Sequence, residues 1–326
     1  MNRWRALLLY NGFFFIMVAV FIGFSLSSPY FLTTTNLFSL LHSAAPWIVF
    51  ASGLALVIMT HHIDISVGSI AFLSAVVGFT LLVRLGFSPW LSLPLVFLTG
   101  LGTGLLNGVL VARLKINPFI VTLSTMMAFR GIGLQIVKGR TISIPAWLSN
   151  LGSLRLGPVY FDTILSLLFL LFLHLIRVRT PFGRYIMAVG SDPEVSKRMG
   201  VNVERMVLLA FVLSGLLASF GGFLLVLQLG VVSLRMGIGM EFIALASIVI
   251  GGISLFGGEG SLIPGLLFGV YTLNIIDSGL NYLGASPYMY PFVRGGLIFL
   301  AMYLDALRHA LQAGARSVVK SGGKLF

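Results

Sequence analysis

Apolar stretches about 20 residues long recur from one end of the chain to the other, separated by short polar or glycine-rich segments. A bilayer core about 30 Å thick needs roughly 20 apolar residues in an α-helix. The pattern predicts about ten membrane-spanning helices, at residues 6–28, 40–60, 67–84, 89–112, 118–137, 161–178, 206–228, 241–256, 261–282 and 290–307. The span at 241–256 is the weakest of these. The shorter spans are also compatible with tilted, re-entrant or half-length helices.

The amino-acid composition also indicates a membrane protein. Of the 326 residues, 58% are apolar and only 9% are charged, and the mean hydropathy is +1.04. A soluble domain averages roughly a quarter charged residues, so this chain has too little polar surface for water. We expect an all-α integral membrane protein with a single transmembrane domain over residues 1–326. Its first apolar stretch lacks a small-residue cleavage site and is interpreted as a retained span.

The basic residues predict an orientation. If the N-terminus is cytoplasmic, the cytoplasmic segments hold 14 Lys and Arg residues and the opposite side holds 5. Because Lys and Arg concentrate in cytoplasmic loops, this excess predicts that both termini are cytoplasmic. The net charge of +12 is spread thinly between apolar spans. It therefore does not form the basic face that nucleic-acid binding needs.

Little in the chain suggests catalysis or metal binding. Cysteine is absent, and no Ser, His and Asp arrangement or paired carboxylates on one helical face point to an active site. His61 and His62 are adjacent, so they point apart, and no further ligand has suitable spacing. No G-x-x-x-x-G-K-[ST] motif occurs, and the glycine-rich stretch 251–261 is interpreted as a tight cytoplasmic turn. We expect no enzyme activity, metal or cofactor, and any ATP used must bind another subunit.

The most charged segment outside the predicted spans is the cytoplasmic loop at about 179–205. Ser191 or Asp192 is a suitable N-cap, Pro193 suits the first helical position, and Glu194 suits the first turn. Gly200 can end such a helix. The loop therefore predicts a short helix outside the membrane. On the opposite side, residues 138–160 are expected to form an irregular loop.

Polar and small residues inside the spans have two interpretations. Thr99, Thr103 and Asn107 recur at intervals of four, Asn274 and Asp277 share a face of the ninth span with Ser278 and Asn281, and Arg130 lies about midway along the fifth. Such groups line a polar pathway or form hydrogen bonds between helices, and both interpretations stay open. Asp64 or Ser66 can also cap the third span. Glycines spaced for close helix packing include Gly100, Gly104, Gly108, Gly215, Gly221 and Gly222.

Four groups of residues, in order, match one known family. They are Ile63-Asp64-Ile65-Ser66-Val67-Gly68-Ser69-Ile70; 114–123, which includes Asn117, with Arg130-Gly131; Phe182-Gly183-Arg184 through Ala188-Val189-Gly190 with Gly200-Val201; and 248–252 with Gly257-Gly258. Over residues 20–305 the chain resembles permease subunits of bacterial ABC importers in the ribose/xylose/arabinose group. These are relatives of the branched-chain amino acid permeases.

The resemblance implies a permease that moves a monosaccharide or sugar-like solute across the bacterial cytoplasmic membrane. Its implied partners are ABC ATPase subunits, an extracytoplasmic solute-binding protein and a second permease, identical or not. The family's coupling helix often reads Glu-Ala-Ala-x-x-x-Gly, and Glu194 through Gly200 fits that frame with Val195 and Ser196 at the Ala positions. The implied coupling residues are Gly183, Gly190, Asp192, Glu194 and Gly200.

The candidate pathway residues are the polar groups of the spans and matching motifs: Asp64, Ser66, Thr103, Asn107, Asn117, Arg130, Asn274 and Asp277. The alternative function is an ion-coupled secondary transporter of a small polar solute. Such a transporter is expected to carry coupling carboxylates in the middle of the membrane, whereas Asp277 and Asp305 lie near span ends.

Overall fold

A computed structural model of the chain describes residues 3–286, 288–300 and 302–303. Side chains are described from residue 14 onward. The helices are α1 Arg3–Ser27, α2 Thr34–Met59, α3 Val67–Val83, α4 Pro89–Gly108, α5 Pro118–Val137, α6 Ala146–Gly152, α7 Phe161–Arg179, α8 Pro181–Ser191, α9 Pro193–Arg198, α10 Val203–Leu229, α11 Met240–Ile250, α12 Leu267–Tyr282 and α13 Met289–Leu300. A wider π-helical turn extends α4 over Val109–Arg113, and the segment Leu262–Leu266 before α12 is kinked at Ile263, where φ is −122° and ψ is 124°.

Every predicted span overlaps a helix, which confirms an all-helical membrane protein. Among the described residues, six helices are long and apolar enough to cross a bilayer: α2, α4 with its π-helical turn, α5, α7, α10, and α12 with the turn before it. The other spans coincide with shorter apolar helices. The end of the predicted span 290–307 and the C-terminal basic residues lie outside the described residues. The count of ten crossings and the cytoplasmic termini stay predictions.

Two local predictions were wrong. The span at 241–256 is helical only to Ile250, because the chain turns at Gly251 and Gly252, where Gly252 has a φ of +77°. The loop at 138–160 is not irregular. It contains α6, the strand β1 Ile142–Ser143, and a hairpin of β2 Arg155–Leu156 with β3 Val159–Tyr160. β1 pairs antiparallel with β4 Val231–Val232, so this loop is fixed to the end of α10.

Helix α10 packs against α4 through glycines, as their spacing predicted. A Cβ at Gly104 would lie 2.5 Å from the carbonyl oxygen of Phe211, and a Cβ at Gly100 equally close to that of Gly215. The two backbones are therefore in direct contact, which only glycine permits. Helices α2, α3 and α10 form the buried centre of the bundle, around side chains such as Phe50, Phe72 and Leu217.

Candidate functional site

The carboxyl group of Asp64 is the centre of a polar cluster. Its Oδ1 atom accepts hydrogen bonds from the backbone N–H of Ser66 at 3.0 Å and from the Ser66 hydroxyl at 2.6 Å. Its Oδ2 atom accepts one from the Ser214 hydroxyl at 3.3 Å. The Ser66 oxygen in turn accepts a hydrogen bond from Nδ2 of Asn107 at 2.8 Å. The cluster ties the 60–66 linker to α4 and α10.

The members of this cluster are buried. Asp64 is 1% exposed, and Ser66, Asn107 and Ser214 are fully buried. Buried polar groups are costly unless they are hydrogen-bonded, and the cluster satisfies all but Oδ1 of Asn107, which has no partner among the described residues. Of the predicted residues, Asp64, Ser66 and Asn107 thus come together as a bridge between helices. Thr103 does not join them, because its hydroxyl donates to the carbonyl of Thr99 within α4, at 2.9 Å.

Arg130 projects from the middle of α5 and holds a non-helical segment. Its guanidinium donates hydrogen bonds to the carbonyl oxygens of Leu234 and Met236. The Cζ atom also lies 4.2 Å from the centre of the Phe72 ring on α3. The side chain is half-buried. Arg130 therefore joins α5, α3 and the segment 233–239, which connects β4 to α11.

The short helix α11 starts inside the bundle, beside the start of α3. Helix α11 has 11 residues, about 16 Å of helix, which is half of a bilayer core about 30 Å thick. Its first turn contacts the first turn of α3, where a Cβ at Gly68 would clash with the Gly237 carbonyl and lie 2.8 Å from the Glu241 carboxylate. In the linker before α3, Asp64 accepts a hydrogen bond from Ser214, roughly 16 Å along α10 from Val203. Both linkers, 60–66 and 233–239, therefore place irregular backbone inside the bundle.

The predicted residues of α12 connect it to neighbouring helices. Asn274 accepts a hydrogen bond from the Ser43 hydroxyl of α2 at 3.2 Å. Asp277 accepts two hydrogen bonds from Arg294 of α13, at 3.0 and 2.5 Å. Sequence reasoning assigned Arg294 no role, because it lies near a predicted span end. The structure makes it the partner of Asp277.

Asn117 lies apart from these groups. Its Oδ1 atom accepts a hydrogen bond from the backbone N–H of Phe119 at 2.9 Å, so it caps the start of α5. The side chain is exposed, two residues from Lys115, whose ammonium group is 3.8 Å from Glu204. The structure therefore places Asn117 at a helix end, away from the Asp64 cluster.

A second polar cluster was missed by the sequence analysis. Asp162, at 3% exposure, lies 3.0 Å from Nδ1 of His42 and accepts a hydrogen bond from Nε2 of Gln228 at 2.6 Å. The His42 ring stacks on Tyr160 with 3.8 Å between ring centres. These residues join α2, α7 and α10 at the end that carries β1 and β4. Each lies in or beside a predicted apolar span, and that placement of polar groups was the signal that could have found them.

The short helix predicted after Asp192 is confirmed as α9, and its place outside the membrane stays a prediction. Asp192 is its N-cap and accepts hydrogen bonds from the backbone N–H groups of Glu194 and Val195, at 2.9 and 3.0 Å. The helix ends before Gly200, whose φ of +84° lies in the left-handed region that favours glycine. The Glu194 side chain is exposed. Capping chemistry thus determines both ends of α9 as predicted.

Two other glycines from the predicted coupling residues allow α8 to pack closely against the bundle. At Gly183 a Cβ would collide with the backbone of Arg177, at the end of α7. At Gly190 a Cβ would collide with the carbonyl of Met59, and it would lie 2.5 Å from the backbone nitrogen of Gly258. Met59 ends α2, and Gly258 lies in the loop after α11. The segment α8–α9 therefore rests directly on the ends of two other crossings.

The adjacent histidines have separate partners. His61 has a left-handed φ of +64°, and its Nδ1 atom contacts the carbonyl of Phe256. The Nδ1 atom of His62 lies 2.7 Å from the carbonyl of Thr60, and its ring meets the edge of Phe211. Each histidine ring therefore contacts its own neighbours. These contacts pack the 60–66 linker against the loop after α11 and against α10.

A short half-length helix, irregular linkers and buried polar clusters within an apolar bundle are typical of one class of protein, the multi-pass membrane transport proteins. Residues 36–302 match the family described as the branched-chain amino acid transport system, permease component, and the chain belongs to that family. It is therefore a protein of the bacterial cytoplasmic membrane. No solved structure shows a significant match to it.

Several curated relatives are similar over most of their length. The fructose import permease protein FrcC of Rhizobium meliloti is 37% identical over 77% of this chain and 72% of its own. The galactose/methyl galactoside import permease protein MglC of Salmonella typhimurium is 32% identical over 92% of this chain and 95% of its own. The ribose import permease protein RbsC of Bacillus subtilis is 34% identical over 92% of both chains.

Proposed function

We propose that this chain is the permease subunit of an ATP-binding cassette importer that moves a monosaccharide or sugar-like solute across the cytoplasmic membrane. Family membership over residues 36–302 is the observation that carries the proposal. The similar fructose, galactose and ribose import permeases support the solute class. Nothing in the described structure favours the ion-coupled alternative.

ATP hydrolysis would occur on separate ATPase subunits, and α9 would contact them. Three observations support this role: α9 is short and capped, its Glu194 is exposed, and α8 rests on the ends of other crossings through Gly183 and Gly190. An extracytoplasmic solute-binding protein and a second permease copy or paralogue would complete the importer. Movement of α8–α9 would then shift the bundle between inward-open and outward-open states.

The irregular linkers 60–66 and 233–239 are the best candidates for the pathway wall. Irregular backbone at membrane depth is stable only inside protein or beside a water-filled cavity. Asp64, Ser66 and Asn107 would hold the 60–66 linker in place, and Arg130 would hold 233–239. Asn274 and Asp277 would fix α12 beside them. The binding protein would carry most of the selectivity.

ATP-driven uptake of radiolabelled ribose, galactose and fructose into proteoliposomes tests this function. The vesicles would contain this permease with its ATPase and binding protein. Glu194→Lys should abolish uptake while sugar binding to the soluble binding protein persists, because α9 would no longer fit the ATPase. The matched control is Glu204→Lys, another exposed charge reversal whose pair with Lys115 is worth about 0–1 kcal/mol.

Two results would contradict the proposal. Uptake by the permease alone under an ion gradient would make it a secondary carrier. Equal uptake by wild type and Glu194→Lys would separate α9 from ATP coupling.

A further inference from the structure

Residues 138–160 form an ordered surface at the end of the bundle that is predicted to be extracytoplasmic. Strand β1 pairs with β4, and Gly152 at the end of α6 lies so close to α10 that a Cβ would clash with the carbonyl of Leu227. The Tyr160 ring stacks on the His42 ring of α2. The segment is therefore attached to the bundle at three separate places, which fixes the position of its backbone.

The exposed charges at this end of the bundle are positive. None of them forms an ion pair among the described residues. They belong to the side chains of Arg84, Lys138, Arg140, Arg155 and Arg235. The acidic groups near this end do not balance them, because Asp162 and Glu241 are buried and Asp277 is bonded to Arg294. This end of the described structure therefore presents uncompensated positive charge.

The opposite end of the bundle, which carries α9, has exposed charges of both signs. Its exposed acidic residues are Asp192, Glu194, Glu204 and Glu259. Exposed basic residues such as Lys115 lie among them. Because Lys and Arg concentrate in cytoplasmic loops, five exposed basic residues on the other side run against the usual distribution. A negatively charged partner at that side gives them a role.

Arg84 brings three of these charges together. Its guanidinium donates hydrogen bonds to the carbonyl oxygens of Val137 and Arg140, at 3.1 and 3.2 Å. Lys138 and Gly139, between those two residues, have left-handed φ values of +52° and +67°. The charges of Arg84, Lys138 and Arg140 therefore belong to one closed turn. Like charges so placed repel one another, and carboxylates of a partner would relieve that repulsion.

Apolar side chains on α6 are exposed in the same segment. Trp147 and Leu151 are one turn apart and 50% and 45% exposed, whereas Leu148 is buried. Helix α10 has 27 residues, about 40 Å, and is longer than a hydrocarbon core about 30 Å thick. Helix α6 packs on the last turn of α10, so it lies at or beyond the edge of the hydrocarbon. An exposed Trp beside Arg side chains is typical of a protein interface.

We propose, on the basis of the proposed function, that Arg84 and residues 138–160 form the docking surface for an acidic face of the solute-binding protein. Carboxylates of that protein would pair with Lys138 and Arg140, and Trp147 would lie in the apolar centre of the contact. Complementary charges speed association and select the correct partner. A surface whose backbone is already fixed loses little conformational entropy on binding.

Association kinetics test the charge requirement. The complete importer in nanodiscs is immobilised, and its purified binding protein is passed over it at low and at high salt. The double variant Lys138→Glu, Arg140→Glu should slow association roughly 10-fold at low salt and remove most of the salt dependence. The matched control, Lys138→Arg with Arg140→Lys, keeps both charges and should behave as wild type. Thermal unfolding checks that both double variants stay folded.

Photo-crosslinking identifies what covers the apolar side chains of α6. The natural absence of cysteine allows Trp147→Cys and Leu151→Cys to be labelled with benzophenone maleimide. On irradiation of the importer in nanodiscs that contain phosphatidylglycerol, both should be joined to the binding protein. The control is Leu168→Cys on α7, which is 59% exposed and flanked by apolar residues, and it should be joined to lipid only.

Two outcomes would overturn the docking surface. One is association of the charge-reversed variant as fast as that of wild type. The other is crosslinking of both α6 cysteines to lipid alone, or to a second permease alone, which would make α6 a headgroup or permease contact. If Trp147→Cys fails to assemble, Leu151→Cys gives the same comparison. Sugar uptake by wild type is measured separately, so its failure with docking intact would count against the proposed function only.

Discussion

The Asp64 carboxyl group shows what single residues do in this bundle. Its two oxygens accept hydrogen bonds from Ser66 and Ser214, and no Lys or Arg pairs with it among the described residues. Three donors around one buried carboxyl group give it a fixed orientation. The directions of these hydrogen bonds therefore fix the 60–66 linker as much as the negative charge of Asp64 does.

Substitutions at Asp64 should separate geometry from charge. Asp64→Asn keeps an acceptor for Ser66 and adds a donor for Ser214, so we expect stability close to wild type. Asp64→Leu leaves buried hydroxyl groups without partners and should cost about 1–3 kcal/mol. Thermal unfolding of the purified permease in detergent, followed by tryptophan fluorescence, measures both. Equal destabilisation by Asn and Leu would show that the negative charge itself is required.

Sequence reasoning found polar residues more reliably than their partners. Asp64, Ser66 and Asn107 were identified because polar groups are rare inside apolar spans. Ser214, 150 residues after Asp64, was not, since a lone serine in an apolar helix carries no distinguishing signal. The Asp162 cluster was missed for a different reason. Its members come from three helices, and periodicity within one helix says nothing about contacts between helices.

Helix contacts depend on individual glycines. On α4, a Cβ at Gly104 would lie 2.5 Å from the Phe211 carbonyl of α10, whereas a Cβ at Gly102 would meet nothing within 4 Å. Gly104→Ala should therefore push α4 away from α10 and cost about 1–3 kcal/mol. Gly102→Ala, on the same helix, should be neutral or stabilising, because alanine is the better helix former.

Thermal unfolding of the two purified alanine variants compares them directly. A similar loss of stability in both would mean that helix propensity, and not the contact between α4 and α10, decides the effect.

Elements with local signals were predictable, and those with long-range causes were not. Helix α9 followed from Asp192, Pro193 and Gly200, which act within a few residues. Helix α11 was drawn too long because the apolar stretch continues past Ile250, while the chain turns at Gly252. Strand β1 was missed because its partner is Val231–Val232, about 90 residues further along the chain. The hydropathy pattern along the chain does not predict pairing between segments so far apart.

In the whole molecule, α8 contacts segments that lead into α3 and follow α11. Gly190 at the end of α8 touches Met59 and Gly258. Met59 directly precedes the 60–66 linker before α3, and Gly258 follows α11. A movement of α8 would therefore reach the linker before α3 and the loop after α11 directly.

Reporter fusions test the predicted orientation of the whole molecule. Green fluorescent protein fused after Phe326 should fluoresce, because it folds in the cytoplasm but not after export. Alkaline phosphatase inserted at Gly157, an exposed turn with a φ of +65°, should be active, because it needs an oxidising compartment. The opposite result at both sites would reverse the topology, and activity of only one reporter would change the number of crossings.

The Arg130 contact also sets an order of events during synthesis. Its acceptors, Leu234 and Met236, are 104 and 106 residues further along the chain. At a translation rate of about 5–20 residues per second, α5 waits roughly 5–20 s before they are made. During that time the translocon must accept an unpaired arginine, at a cost of about 2.5–3.5 kcal/mol. The hydrogen-bond acceptors of Arg130 therefore lie in the last third of the chain and are synthesised only after α5 has been made.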